Sequence, residues 1–139
     1  MQTQDIIKKF SETNLQIKDQ EYNIVHNNGN IVEVDEIPIT HEFADQIYIR
    51  KMIMQPQQMV LGAVHKQEHL WFLLKGKVTI QESGETLDHI APCYTISKPG
   101  AQRVIYAHEE SVFINVHKNP ENIKNIKELE KQIVKSWDS

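Results

Sequence analysis

The chain has 139 residues, 40% of them apolar and 24% charged, which suits one domain built on one hydrophobic core. Its net charge of −4 offers no basic excess for a nucleic-acid polymer, and no apolar run reaches the length of a membrane span. A single cysteine, Cys93, excludes an internal disulfide and a cysteine-cluster zinc site and fits a reducing, cytoplasmic setting.

The opening stretch MQTQDIIKKFSE lacks the long apolar core of a signal peptide. Ile6, Ile7 and Phe10 give it one apolar helical face. From about Tyr22 the signals are those of strands. Ile31–Val34 follows the turn Asn27-Asn28-Gly29-Asn30. Ile47–Met54 reads IYIRKMIM and stops at Gln55-Pro56. Met59–His65 and His69–Leu74 come next, then Lys77–Gln81 after Gly76. Ser83-Gly84 marks a hairpin turn before Thr86–Ile90. Tyr94–Ser97, Arg103–Ala107 and Ser111–His117 complete the series. Eight to ten short strands at such spacing predict an all-β sandwich or barrel over about residues 22–117. Unpaired edges favour closure or dimerisation.

The tail changes character. Asn119-Pro120 reads as a helix start, with Asn as cap and Pro at the first helical position. Ile123, Ile126, Leu129, Ile133 and Trp137 then recur at helical spacing. The expectation is an amphipathic helix over about 120–137 whose stripe covers its own barrel or a partner subunit.

The stretch VHKQEHLWFLLKG, residues 64–76, holds the chemistry. His65 and His69 stand where two strands can turn both rings to one cavity. Neutral imidazole ligates zinc, iron or nickel, but two rings leave a metal site incomplete. A pair of surface or hydrogen-bonded histidines is the plainer reading. Trp71 shares parity with His69 and would form a cavity wall. Tyr94 and Tyr106 would add stacking surface and phenol donors, or be plain strand residues. In Ser111–His117, the apolar set Val112, Ile114 and Val116 should be the buried face, with His117 outside the cavity or at its rim, where it would cap the strand end before the helix. Cys93 has no base at obvious spacing, and neither a Ser-His-Asp arrangement nor a phosphate loop is present. His26, His41 and His108 read as exposed loop residues.

The same stretch resembles the first motif of the cupin superfamily, Gly, five residues, His-x-His, three or four residues, Glu, six residues, Gly. Anchored on Gly76, the Glu position falls on His69, the second His on His65, the first His on Ala63 and the leading Gly on Gln57. The second motif, Pro-x-Gly-x-x-His, resembles Ser97–Arg103. Gly100 matches, Pro99 is shifted by one, Arg103 stands at the histidine position and Ala107 at the later Asn. The wider pattern resembles short stand-alone cupin-like proteins of bacteriophage and bacterial genomes.

That resemblance implies a double-stranded β-helix, or jelly-roll, barrel with a C-terminal helix; with the strand edges and the single cysteine, the expectation is a homodimer in the cytoplasm (the host's, if phage-encoded). With Arg103 facing inward, its permanent charge favours an anion over a dication. The leading expectation is a metal-free binder of a phosphate- or carboxylate-bearing molecule, a nucleotide-like one among the candidates. Its contacts would be His65, His69, Trp71, Tyr94 and Arg103. The alternative is an oxygenase- or isomerase-type enzyme with a divalent metal (zinc, iron, nickel or manganese) on His65, His69 and His117. A third possibility is an assembly protein with no ligand.

Overall fold

A computed structural model describes residues 24–27, 30–33, 37–62, 64–82 and 84–135. The apolar face of Ile6, Ile7 and Phe10, and Trp137 at the helix end, lie outside these residues.

Among the described residues, thirteen strands and one helix follow one another. The first hairpin joins β1 (Ile24–Asn27) to β2 (Asn30–Glu33). β3 (Ile39–Ala44) and β4 (Ile47–Met54) form the second. The stretch expected as one strand from Met59 to His65 is broken into β5 (Gln58–Leu61) and β6 (Val64–His65). β7 (His69–Lys75), β8 (Lys77–Glu82), β9 (Glu85–Ile90), β10 (Cys93–Ser97), β11 (Arg103–Ala107) and β12 (Ser111–Lys118) follow. The helix α1 (Ile126–Ile133) runs into β13 (Val134–Lys135).

All pairings are antiparallel. One sheet has the order β2-β1-β5-β11-β8-β9 and the other β10-β7-β12-β4-β3, with a small β6–β13 ladder beside them. Two facing antiparallel sheets whose neighbours are distant in sequence make a jelly-roll barrel. Two backbone positions match the motif glycines. Gly76 has φ +96°, and a Cβ there would collide with the Ser111 hydroxyl and the Glu110 carbonyl. Gln57, at the leading-glycine position, also has a left-handed backbone, φ 71°.

Strand parity divides the interior into two halves. Met54 and Met52 on β4, Leu73 and Trp71 on β7, Ala107 and Ile105 on β11, and Phe113 on β12 are all buried. They interlock in the apolar core with Val78 and Ile80. Continuing by two along the same strands gives Arg50 and Tyr48, His69, Arg103, then Asn115 and His117. Each strand therefore turns from apolar to polar at the same level of the barrel, and a polar chamber sits beside the dry core.

This corrects the expectation for β12. Its buried face is Ser111, Phe113, Asn115 and His117, while Val112, Ile114 and Val116 are only half-buried. The polar set goes inward because it meets polar partners there. The helix is also shorter than expected. Asn125 caps it, its Oδ1 accepting from Glu128 N at 3.0 Å. Asn119 instead clasps a loop, accepting from Ile123 N at 3.1 Å and donating to Ile123 O at 2.9 Å. The stripe covers its own barrel: Leu129 and Ile133 are buried against Tyr48, with Phe43 packed alongside.

Candidate binding site

The chamber is a cavity of about 80 Å³, lined on one side by Met52, Val60, Ile105, Ile133 and Val134. Its polar lining is Tyr48, Arg50, His65, Arg103, Asn115, His117 and Glu130. Each element contributes for a local reason. β4 and β12 pair with Arg50 opposite Asn115 and Tyr48 opposite His117. His65 is pinned at both ends, its N–H donating to Ala101 O at 2.9 Å and its carbonyl accepting from Gly100 N at 2.7 Å. The helix brings Glu130 and Ile133 across the chamber. It is fastened by Lys66 N to Ile133 O at 2.8 Å and Lys66 Nζ to Lys131 O at 2.7 Å.

Arg103 points inward, only 3% exposed. Its fork is already engaged by protein. Nη1 donates to Ser97 Oγ at 2.8 Å and to His69 Nε2 at 3.0 Å, and Nη2 donates to Asn115 Oδ1 at 2.8 Å. Glu82 Oε1 lies 3.7 Å away as counter-ion and accepts from Ser97 Oγ at 3.0 Å. Only Nε, among its nitrogens, is buried without a partner. Burial pushes its pKa down to about 10, with Glu82 opposing that shift, so the group stays charged at neutral pH. Arg103, itself at one ligand position of the resembling motif, is thus bonded to His69 at another.

His65, His69 and His117 do come together. Ring centroids are 4.2 Å apart for His65–His69, 4.7 Å for His69–His117 and 5.5 Å for His65–His117. Burial, then nearby positive charge, drives all three pKa values down. His65 falls to about 2 and His69 to about 4. His117 falls to about 3, with His69 the largest contributor after burial. The rings are neutral at pH 7 and accommodate Arg103 without repelling it.

A divalent metal does not fit this arrangement. The three rings stack, with interplanar angles of 11° to 29°, so their lone pairs do not converge on one point. His69 Nδ1–H donates to Gln67 O at 3.3 Å, which leaves Nε2 as the acceptor that Arg103 already occupies. A fixed guanidinium charge at the centre repels a dication. Among the described residues, no group of three or more His, Cys, Asp or Glu side chains is disposed to hold a metal.

Other expected residues lie elsewhere. Trp71 is buried in the core, stacked on Phe113 at 5.0 Å with His89 edge-on at 5.0 Å, and does not line the cavity. Tyr94 is 66% exposed on the outer face of β10. Tyr106 packs edge-on against His108 at 5.0 Å. Cys93 is half-buried, its thiol pKa raised by burial. His26 and His41 lie in strands rather than loops, and half-buried His108 bonds Thr79 Oγ1 through Nε2 at 2.5 Å.

Four site residues escaped sequence reasoning: Tyr48, Arg50, Asn115 and Glu130. Arg50 has no hydrogen-bond or ion-pair partner among the described residues, and burial lowers its pKa. The Tyr48 hydroxyl is hydrogen-bonded to His41 Nδ1 at 2.6 Å, and burial pushes its pKa up to about 12. Parity on IYIRKMIM would have found Tyr48 and Arg50 had the isoleucines been assigned outward.

No protein-family model matches the sequence, and no curated protein is significantly similar to it. Solved structures are similar in fold. A cupin superfamily protein from Desulfitobacterium hafniense superposes with TM-score 0.53 at 10% identity, over 63% of this chain and 81% of that one. A Klebsiella pneumoniae protein with a double-stranded β-helix domain gives 0.54 at 18% identity, over 68% and 93%. A cupin 2 conserved barrel protein from Salinispora arenicola gives 0.51 at 13% identity, over 63% and 79%. The fold is therefore a cupin-like β-barrel with a C-terminal helix. Among the described residues no helix is long and apolar enough to cross a membrane.

Proposed function

We propose that the barrel binds a small carboxylate- or phosphate-bearing molecule in the chamber beside its core. The observation that carries this reading is Arg50, a guanidinium lining the cavity with no protein partner among the described residues. Desolvated charged donors are strong anion ligands. Arg103, expected as the main contact, is held by Ser97, His69 and Asn115. Its role here is to hold the wall and to add positive potential.

Size narrows the guest. At about 10–15 Å³ for each water-sized atom, a cavity of about 80 Å³ takes about five to eight of them. That suits a small carboxylate and is too little for a whole nucleotide. In calorimetric titration against acetate, propionate, 3-methylbutanoate and inorganic phosphate, Arg50→Met should weaken binding about 10- to 100-fold, the loss of one charged hydrogen-bonding group. Equal affinity in the variant, or no binding by any of the four, would remove the proposal.

The same reading includes a homodimer. Two apolar rows cross the outer face of the second sheet. Tyr94 pairs with Phe72 and Phe72 with Ile114; Ile96 pairs with Leu70, Leu70 with Val116 and Val116 with Ile49. Tyr94 and Ile96 are 66% and 51% exposed. The first row ends at Lys51, opposite Ile114; the uncharged part of the two rows is self-complementary about a two-fold axis. Light scattering should report about twice 16.2 kDa, and Tyr94→Glu with Ile96→Lys should halve it. A wild-type monomer, or a double variant of unchanged mass, would count against the dimer.

A further inference from the structure

The chamber holds a second charge that an anion does not use. Arg103 is balanced by Glu82, 3.7 Å away. That leaves Arg50 and Glu130, which line the same cavity. No ion pair joins them: their charged atoms do not approach within 4.0 Å, the limit at which the bridges of Lys75, Lys98 and Arg103 appear. Two opposite charges facing one hollow without touching form a dipole with a gap. Among the described residues the chamber is therefore neutral overall, two guanidinium groups against two carboxylates. The imidazoles add no charge at neutral pH.

A simple anion placed there would gain from Arg50 and be repelled by Glu130. A guest with separated charges of both signs gains from each. We infer that the guest is a zwitterion, a small α-amino acid with its carboxylate on Arg50 and its ammonium on Glu130. This rests on the carboxylate reading above and sharpens it. The remaining lining agrees. Val60, Ile105, Ile133 and Val134 form a dry wall for an aliphatic side chain. An amino acid the size of valine falls within the space available. The Tyr48 hydroxyl, bound on one side to His41, keeps an oxygen lone pair for an ammonium hydrogen.

Glu130 sits on the helix and Arg50 on β4, so recognition of the two ends of the guest comes from separate elements. The carboxylate pole belongs to the barrel. The ammonium pole exists only when the helix is docked.

The test compares each amino acid with its deaminated twin. L-alanine, L-valine and L-leucine are titrated into the full chain alongside propionate, 3-methylbutanoate and 4-methylpentanoate. At least one amino acid should bind 10-fold or more tightly than its twin. Glu130→Gln, an isosteric change checked for an unaltered melting temperature, should erase that preference while leaving the twin's affinity unchanged or improved. Arg50→Met should weaken both. Twins that bind as well as the amino acids overturn the zwitterion and leave the carboxylate reading standing. A preference that survives in Glu130→Gln also overturns it. Failure of all six compounds to bind while acetate or inorganic phosphate still binds overturns the zwitterion alone; failure of those two as well removes both readings.

Discussion

Acid should unfold this protein unusually early, and three buried histidines set the pH at which it happens. His65, His69 and His117 have folded-state pKa values of about 2, 4 and 3, against about 6.5 in an unfolded chain. Below pH 6.5 the unfolded chain binds protons that the fold refuses, so stability falls as pH falls. The contribution is full above about pH 6.5 and disappears progressively as pH drops toward the folded values. At pH 5 each neutral histidine costs about 2 kcal/mol relative to pH 8. With marginal overall stability, three such terms are enough to bring the unfolding midpoint near pH 5. Urea titrations at half-unit steps should show a slope approaching three protons between pH 6 and 5, and His65→Gln should reduce it by about one. Proton NMR should show three imidazoles that do not titrate between pH 8 and 6, while the protein is folded. Stability that stays flat between pH 8 and 5 would refute the assignment.

Removing the Arg103 guanidinium should cost more than any other single change in the chamber. Arg103→Met strands the Asn115 Oδ1 and His69 Nε2 acceptors and leaves Glu82 without its counter-ion. Breaking a buried charged network by deleting one member costs about 3–5 kcal/mol. Arg103→Lys keeps the charge but not the planar fork, so an intermediate loss is expected. Arg50→Met, which breaks no hydrogen bond, should change stability far less than it changes binding. The contrast separates the arginine that builds the chamber from the one that serves it. Chemical denaturation of the three variants measures it. An Arg103→Met protein within 1 kcal/mol of wild type, a margin about the size of one ordinary hydrogen bond, would show that the network is not a keystone.

Much of this architecture can be read from the chain because strand punctuation is local. Gly76, Ser83-Gly84 and Pro99-Gly100 cut the sequence where the strands end. β3 was missed, since ITHEFA is an edge strand with both faces largely wet, and nothing in its polarity alternates. The motif alignment picked out His65, His69 and Arg103, which meet at ring-contact and hydrogen-bond distances, though of the three only His65 and Arg103 line the chamber. Parity alone failed on β12. It assumes that the apolar face goes inward, whereas here apolar side chains also cover the outside of the sheet. Asn115 was hidden by that assumption, and Arg50 by the alternation of IYIRKMIM, to which no face was assigned. Glu130 was hidden because a helix of eight residues aims one carboxylate at the barrel through its docking, which no spacing rule encodes. The Asn119 cap failed for a related reason: asparagine closes loops as readily as it begins helices.

The joint between β6 and β13 has a kinetic consequence. Among the described residues Val134 and Lys135 pair across it, opposite His65 and Val64, while the barrel sheets are sewn by ladders of up to eight residues. If the chamber takes the guest proposed above, opening this seam together with the Lys66 and Gln67 bonds to the helix would move one wall and one charge aside at once, so that entry, exit and the loss of the ammonium contact would share one rate.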